Sequence, residues 1–106
     1  MTEKQYNKLI RDRIPIIIQE QGKKPIIQEI ISDKEFEEYL GKKLIEESKE
    51  YFDSKQIEEL VDIMELIYSL LSLRGINPSK FEKMRVDKKA ERGGFEKRLL
   101  LLKVIE

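Results

Sequence analysis

Between residues 33 and 52, Phe36, Leu40, Leu44 and Tyr51 recur at spacings that place them on one stripe of a helix. Glu47 falls in that stripe, where a core side chain is expected. Ser32 or Asp33 caps this predicted helix, with acids in its first turn. A second helix is predicted from Ser54 to Arg74, stopping at Gly75. Ile57, Leu60, Val61, Met64, Ile67, Tyr68 and Leu71 make one apolar face of it, and Ile63, Leu66, Leu70 and Leu73 make a second. The purely polar strip is narrow: Glu58, Glu65, Ser69 and Ser72. Two apolar faces predict burial on two sides, in a bundle or at a subunit interface. Glu59 and Asp62 lie on the N-terminal continuation of the second face. Asn77 then caps a third long helix, with Pro78 in its first turn, reaching Arg92 before Gly93-Gly94.

The ends of the chain are less regular. The basic segment before residue 13 leads into a short helix over 13–21, with Asp12 as N-cap, Pro15 in the first turn and Gly22 as the stop. Residues 25–31, "PIIQEII", are β-branched and bounded by Pro25 and Ser32, and so read as extended. Residues 98–105, "RLLLLKVI", suit either a strand or a helix end, since short apolar runs do not decide between them. Gly93-Gly94 favours a break before this run. The expected fold is a single, mainly α domain over 1–106. It is a helical bundle with antiparallel long helices, completed by oligomerisation, with a small two-stranded sheet from the 25–31 and 98–105 segments.

No Gly or Pro interrupts residues 43–73, and a single long helix would satisfy that absence. Capping chemistry argues for a break instead. With Asp53 as N-cap, Gln56 falls at N3, and Phe52 and Ile57 take the two positions of a hydrophobic staple. Side-chain geometry points the same way. At about 100° per residue, Glu47, Glu50, Glu59 and Asp62 would spread over half of one unbroken helix. A reversal between Ser54 and Lys55 sets Glu47 level with Asp62 and Glu50 level with Glu59. The two levels stand roughly 4.5 Å apart along the axis. Four carboxylates then face one another between antiparallel helices.

Composition narrows what such a box can do. The 106 residues contain neither cysteine nor histidine, which excludes thiolate chemistry, imidazole bases and the usual zinc ligands. Lys plus Arg and Asp plus Glu both total 21, so net charge supplies no drive toward nucleic acid. No apolar run approaches the roughly 20 residues that span a bilayer. The N-terminus lacks a signal-peptide pattern, and a soluble cytoplasmic protein is expected. Unpaired carboxylates among apolar side chains cost several kcal/mol or neutralise themselves. A divalent cation would keep them ionised. Mg²⁺ fits, with Mn²⁺ as a substitute, because hard cations take oxygen ligands and Mg²⁺ is often shared with substrate phosphates. Salt bridges from a Lys-rich neighbour, or a simply solvated face, are the alternative in a chain that is 40% charged.

The pattern Glu46-Glu47-x-x-Glu50 followed by Glu59-x-x-Asp62 resembles the signature of the all-α nucleoside triphosphate pyrophosphatases. This superfamily includes MazG proteins, dimeric dUTPases and phosphoribosyl-ATP pyrophosphohydrolase. The flanks "YNKLIRDRIP" and "KAERGGFEKR" resemble a compact MazG-like subgroup labelled phosphoribosyl-ATP pyrophosphohydrolase-like, so the resemblance runs from Tyr6 to Lys97. It implies a helical bundle assembled as a homodimer or homotetramer. It also implies Mg²⁺-dependent cleavage of a nucleotide between its α and β phosphates, giving a monophosphate and pyrophosphate. Glu47, Glu50, Glu59 and Asp62 would be the metal ligands, and Glu46 an additional acid that supports them or orients water. With no histidine, the base would be Glu46, Glu47 or Glu50. Lys8, Arg11 and Arg13 from the first flank, and Lys89, Arg92 and Lys97 from the last, would clamp phosphates. A non-catalytic metal- or nucleotide-binding module, or a plain helical interaction protein, is the alternative. Only eight residues separate Glu50 from Glu59, shorter than is usual in the superfamily, so the turn between them must be tight.

Overall fold

A computed structural model describes residues 2–106 and contains four helices: α1 (Ile14–Glu20), α2 (Asp33–Ser54), α3 (Ile57–Leu73) and α4 (Pro78–Arg92). By internal packing the chain divides into two units, Met1–Gly75 and Ile76–Glu106. No helix among the described residues is long and apolar enough to cross a membrane.

In the first unit the main helix–helix interface is between α2 and α3. Ser32 caps α2 by accepting a hydrogen bond from the Glu35 amide at 3.3 Å. The chain reverses within two residues. Lys55 adopts a left-handed conformation (φ 60°) while its amide donates to the Tyr51 carbonyl, and the Ser54 hydroxyl accepts from the Gln56 amide. Gln56 is the N-cap of α3, so Asp53 is not the cap predicted for it. The last turn of α2 carries on through Asp53, the Ser54 hydroxyl braces the turn, and no side chain caps α3. The staple is not closed either, because Phe52 and Ile57 are both largely exposed. An Arg74–Glu37 ion pair at 3.3 Å joins the far end of α3 to the first turns of α2, as an antiparallel hairpin requires.

Leu40 from α2 and Leu66 and Leu71 from α3 form the buried core. Leu66 belongs to the second predicted face of α3 and Leu71 to the first, so the buried stripe draws on both. Ile57, Leu60, Val61, Met64 and Tyr68, on the first face, remain exposed.

The two-stranded sheet is absent: there is no strand among the described residues. Residues 25–31 and 98–105 are irregular, with Ile31 90% exposed and Leu99 through Leu102 almost as open. β-Propensity expresses the fit of side chains to a pleated, half-buried surface. These runs have no such surface to pack on, so β-branching alone forms no ladder. Asp12 also fails as a cap. Arg13 occupies that position at the start of α1 and makes no side-chain capping bond, while Pro15 sits in the first turn as expected.

In the second unit α4 matches its predicted span. The Asn77 side chain accepts from the Ser79 amide at 2.7 Å, and Gly93 ends the helix at φ 85°. Asn77→Ala should therefore cost about 1 kcal/mol, and Asn77→Gly only a few tenths. Amide exchange through the first turn of α4 will show the difference; equal protection in all three proteins would exclude the capping role.

Candidate metal centre

Glu46, Glu47 and Glu50 project from the second half of α2, and Glu59 and Asp62 from the start of α3. The tight reversal at Lys55 brings the two sets together. Two triads result, Glu46–Glu47–Glu50 and Glu47–Glu59–Asp62, each offering oxygens that all lie within 4.8 Å of one another. Glu47 belongs to both. It lies two turns after Leu40 on the stripe that faces α3, which is why a carboxylate is only 6% exposed. One of its oxygens, Oε2, is buried and has no hydrogen-bond partner.

The surrounding cations balance the cluster unevenly. Lys43 lies one turn before the acids and approaches Glu46 at 3.6 Å and Glu47 at 3.7 Å. Lys8 reaches Glu46 at 4.0 Å, and Arg11 donates to Asp62 at 2.6 Å. Burial, the hydrogen bond with Glu59 and the charges of Glu50 and Asp62 push the Glu47 carboxyl up to about 7, against the pull of Lys43. The Glu59 carboxyl is raised as well. Its hydrogen bond with Glu47 holds it down, but lost hydration, a hydrogen bond with Glu50 and the charges of Glu50 and Asp62 outweigh that. Like charges this close resist ionising together without a cation, which is why both carboxyls are raised.

The donor set fits a hard divalent cation. Every ligand atom is a carboxylate oxygen, and one is a buried oxygen without a partner. Around an octahedral Mg²⁺ neighbouring oxygens stand roughly 3.0 Å apart and opposite ones roughly 4.2 Å, so oxygens within 4.8 Å of one another can be drawn onto one ion by side-chain rotation. Glu50 is exposed and Glu46 half-exposed, which leaves an open side for water or a ligand.

The geometry differs in detail from level-by-level pairing. Glu47 meets both Glu59 and Asp62, and Glu46 stands in a triad rather than outside the acids. Lys43 is the residue that sequence reasoning missed. Its signal was the spacing Lys43-x-x-Glu46-Glu47, which puts ammonium and carboxylates on one helical face. Of the basic candidates, Lys8 and Arg11 lie against the acids. Arg13 is exposed and makes no ion pair among the described residues. Lys89, Arg92 and Lys97 belong to the second unit, where Lys89 pairs with Glu96 at 3.2 Å. The Glu96 carboxylate itself crowds Gly94, so the close approach that this glycine permits is made by a neighbouring side chain. Tyr6 and Phe95 are exposed at 61% and 95%.

Comparison of the chain with protein-family models, with curated proteins and with solved structures finds no match.

Proposed function

We propose that the acids of α2 and α3 form a divalent-cation site for Mg²⁺ or Mn²⁺, through which a helical module holds a phosphate-bearing nucleotide. The observation that carries this reading is the buried, unpartnered oxygen of Glu47 at the centre of four other carboxylates. A structural ion-pair network would supply that oxygen with a donor. Lys43, Lys8 and Arg11 serve Glu46, Asp62 and the other Glu47 oxygen instead. Glu47 would hold the ion jointly with Glu59 and Asp62, while Glu46 and Glu50 complete the cluster on the open side. A bound cation would neutralise phosphate oxygens that these carboxylates would otherwise repel.

A cation that binds only the folded state raises its stability, by roughly 2.7 kcal/mol at a hundred times the dissociation constant. Chemical unfolding in Mg²⁺ and in EDTA measures this directly. Identical midpoints in Mg²⁺, Mn²⁺ and EDTA would remove the site.

Hydrolysis between the α and β phosphates is the second reading, and one observation favours it. The first flanking motif lies against the acids, with Lys8 at Glu46 and Arg11 at Asp62. Cations that meet phosphate thus stand beside the groups that would hold the metal. A carboxylate of the same cluster takes the proton from the attacking water, since the chain has no histidine. Incubation with a panel of canonical and modified nucleotides, with product identification, separates the readings. Metal-dependent binding without pyrophosphate release leaves a binding module alone. Self-association as a homodimer or homotetramer belongs to the same proposal and is supported by the exposed stripe Ile57, Val61, Met64 and Tyr68.

A further inference from the structure

The ion pair between Arg11 and Asp62 links two groups that the proposed site needs for different purposes. The guanidinium Nη2 donates to Asp62 Oδ1 at 2.6 Å, using one nitrogen and one oxygen rather than the two-pronged fork that makes such pairs strong. Both side chains are open to water, 53% for Arg11 and 38% for Asp62, so the pair contributes little net stability. The segment that carries Arg11 has no regular secondary structure up to that residue. Its backbone is nonetheless held, by half-buried Leu9 and Ile10 and by the Ile14 amide donating to the Arg11 carbonyl at 3.1 Å. The side chain can therefore leave Asp62 while its base stays fixed beside the acids.

We propose that Arg11 is a built-in counter-ion of the acid cluster: a divalent cation displaces it from Asp62, and its freed guanidinium meets the phosphate that the cation brings. This rests on the reading of the acids as a cation site. A guanidinium and a divalent cation on the same carboxylate are like charges at close range and repel. The fork that Asp62 uses only in part is well shaped for two phosphate oxygens. The half-buried anchor keeps the displaced arginine at the rim of the site. Metal loading and phosphate capture then become one linked event, and the N-terminal segment sets the affinity of both.

Arg11→Gln should have opposite effects on two probes. Calorimetry with Mg²⁺ alone should show it binding roughly three- to tenfold more tightly than wild type, because the competitor is gone. Binding of premixed magnesium pyrophosphate should weaken by roughly tenfold, because the fork is gone. Lys4→Gln removes the same charge from the same segment, at a residue with no ion pair among the described residues, and should leave Mg²⁺ affinity as it is. Equal Mg²⁺ affinity in wild type and Arg11→Gln overturns the displacement and leaves the cation site standing. So does an equal gain in Lys4→Gln, which would trace the effect to overall charge. Unchanged pyrophosphate binding overturns the capture step. If wild type takes up neither Mg²⁺ nor Mn²⁺, the inference falls together with the site.

Discussion

Glu47→Gln will stabilise the metal-free protein at pH 8, and the same substitution will remove its response to Mg²⁺. The folded state holds a proton on Glu47 up to about pH 7, whereas the same carboxyl ordinarily releases it near 4.5. Within that window the native state binds a proton that the unfolded chain does not. Stability therefore falls as pH rises. The contribution is fully present below about pH 4.5 and is lost as pH climbs through 7, amounting to roughly 3 kcal/mol at most. Glutamine keeps the shape, stays neutral at every pH and can donate its amide hydrogens to Glu59 and Asp62. Wild type and variant should accordingly be close in stability at pH 5 and diverge toward pH 8 in EDTA. Mg²⁺ has the reverse pH dependence, since it needs the ionised carboxylate and competes with the proton. The wild-type gain with Mg²⁺ should grow from pH 5 to pH 8, and the variant should show little gain anywhere. Urea unfolding of both proteins across this range, with and without Mg²⁺, measures all four curves. Parallel pH profiles in EDTA would mean that Glu47 is not the titrating group. An intact Mg²⁺ response in the variant would take it out of the ligand set.

Much of this site could be read from the chain because its determinants are local. The stripe through Phe36, Leu40 and Leu44 puts Glu47 on the buried face, and the structure leaves it 6% exposed. Asn77-Pro78 at one end of α4 and Gly93 at the other are cap signals acting within a few residues, and they place both ends correctly. The reversal between α2 and α3 was legible as a break but not to the residue. Asp53 reads as a cap, but α2 runs on through Ser54, and the reversal depends on Lys55 accepting a left-handed conformation that its side chain does not favour. The missing sheet shows the opposite limit. Apolar, β-branched runs over 25–31 and 98–105 say that a segment can be extended, but pairing requires a partner edge that no local pattern encodes. Which positions of the two apolar faces of α3 become buried is likewise tertiary, since Leu66 comes from one and Leu71 from the other. So is the placing of Arg11 on Asp62, which joins residues far apart in sequence through an irregular segment.

Leu40→Ala will destabilise the protein by roughly 2–5 kcal/mol, the cost of a lost side chain plus the cavity left behind. Leu40 is 2% exposed, the most deeply buried side chain in a core that otherwise rests on Leu66 and Leu71. A domain of this size has roughly 5–15 kcal/mol in total, so one truncation removes a large share. Denaturant unfolding should show a lower midpoint with an unchanged slope. Leu101→Ala, at a position 78% exposed, should shift stability by no more than about 0.5 kcal/mol. The core substitution also separates packing from ligation. Leu40 precedes Glu47 by two helical turns, roughly 10 Å along α2. Effects at that separation add with little coupling. Mg²⁺ should therefore stabilise Leu40→Ala by as much as it stabilises wild type, although the variant starts far lower. Glu47→Gln starts level with wild type or above it and gains almost nothing. If Leu40→Ala lost its Mg²⁺ response as well, the cation would be sensing the packing of α2 against α3 as a whole, and the cluster around Glu47 would not be a self-contained site.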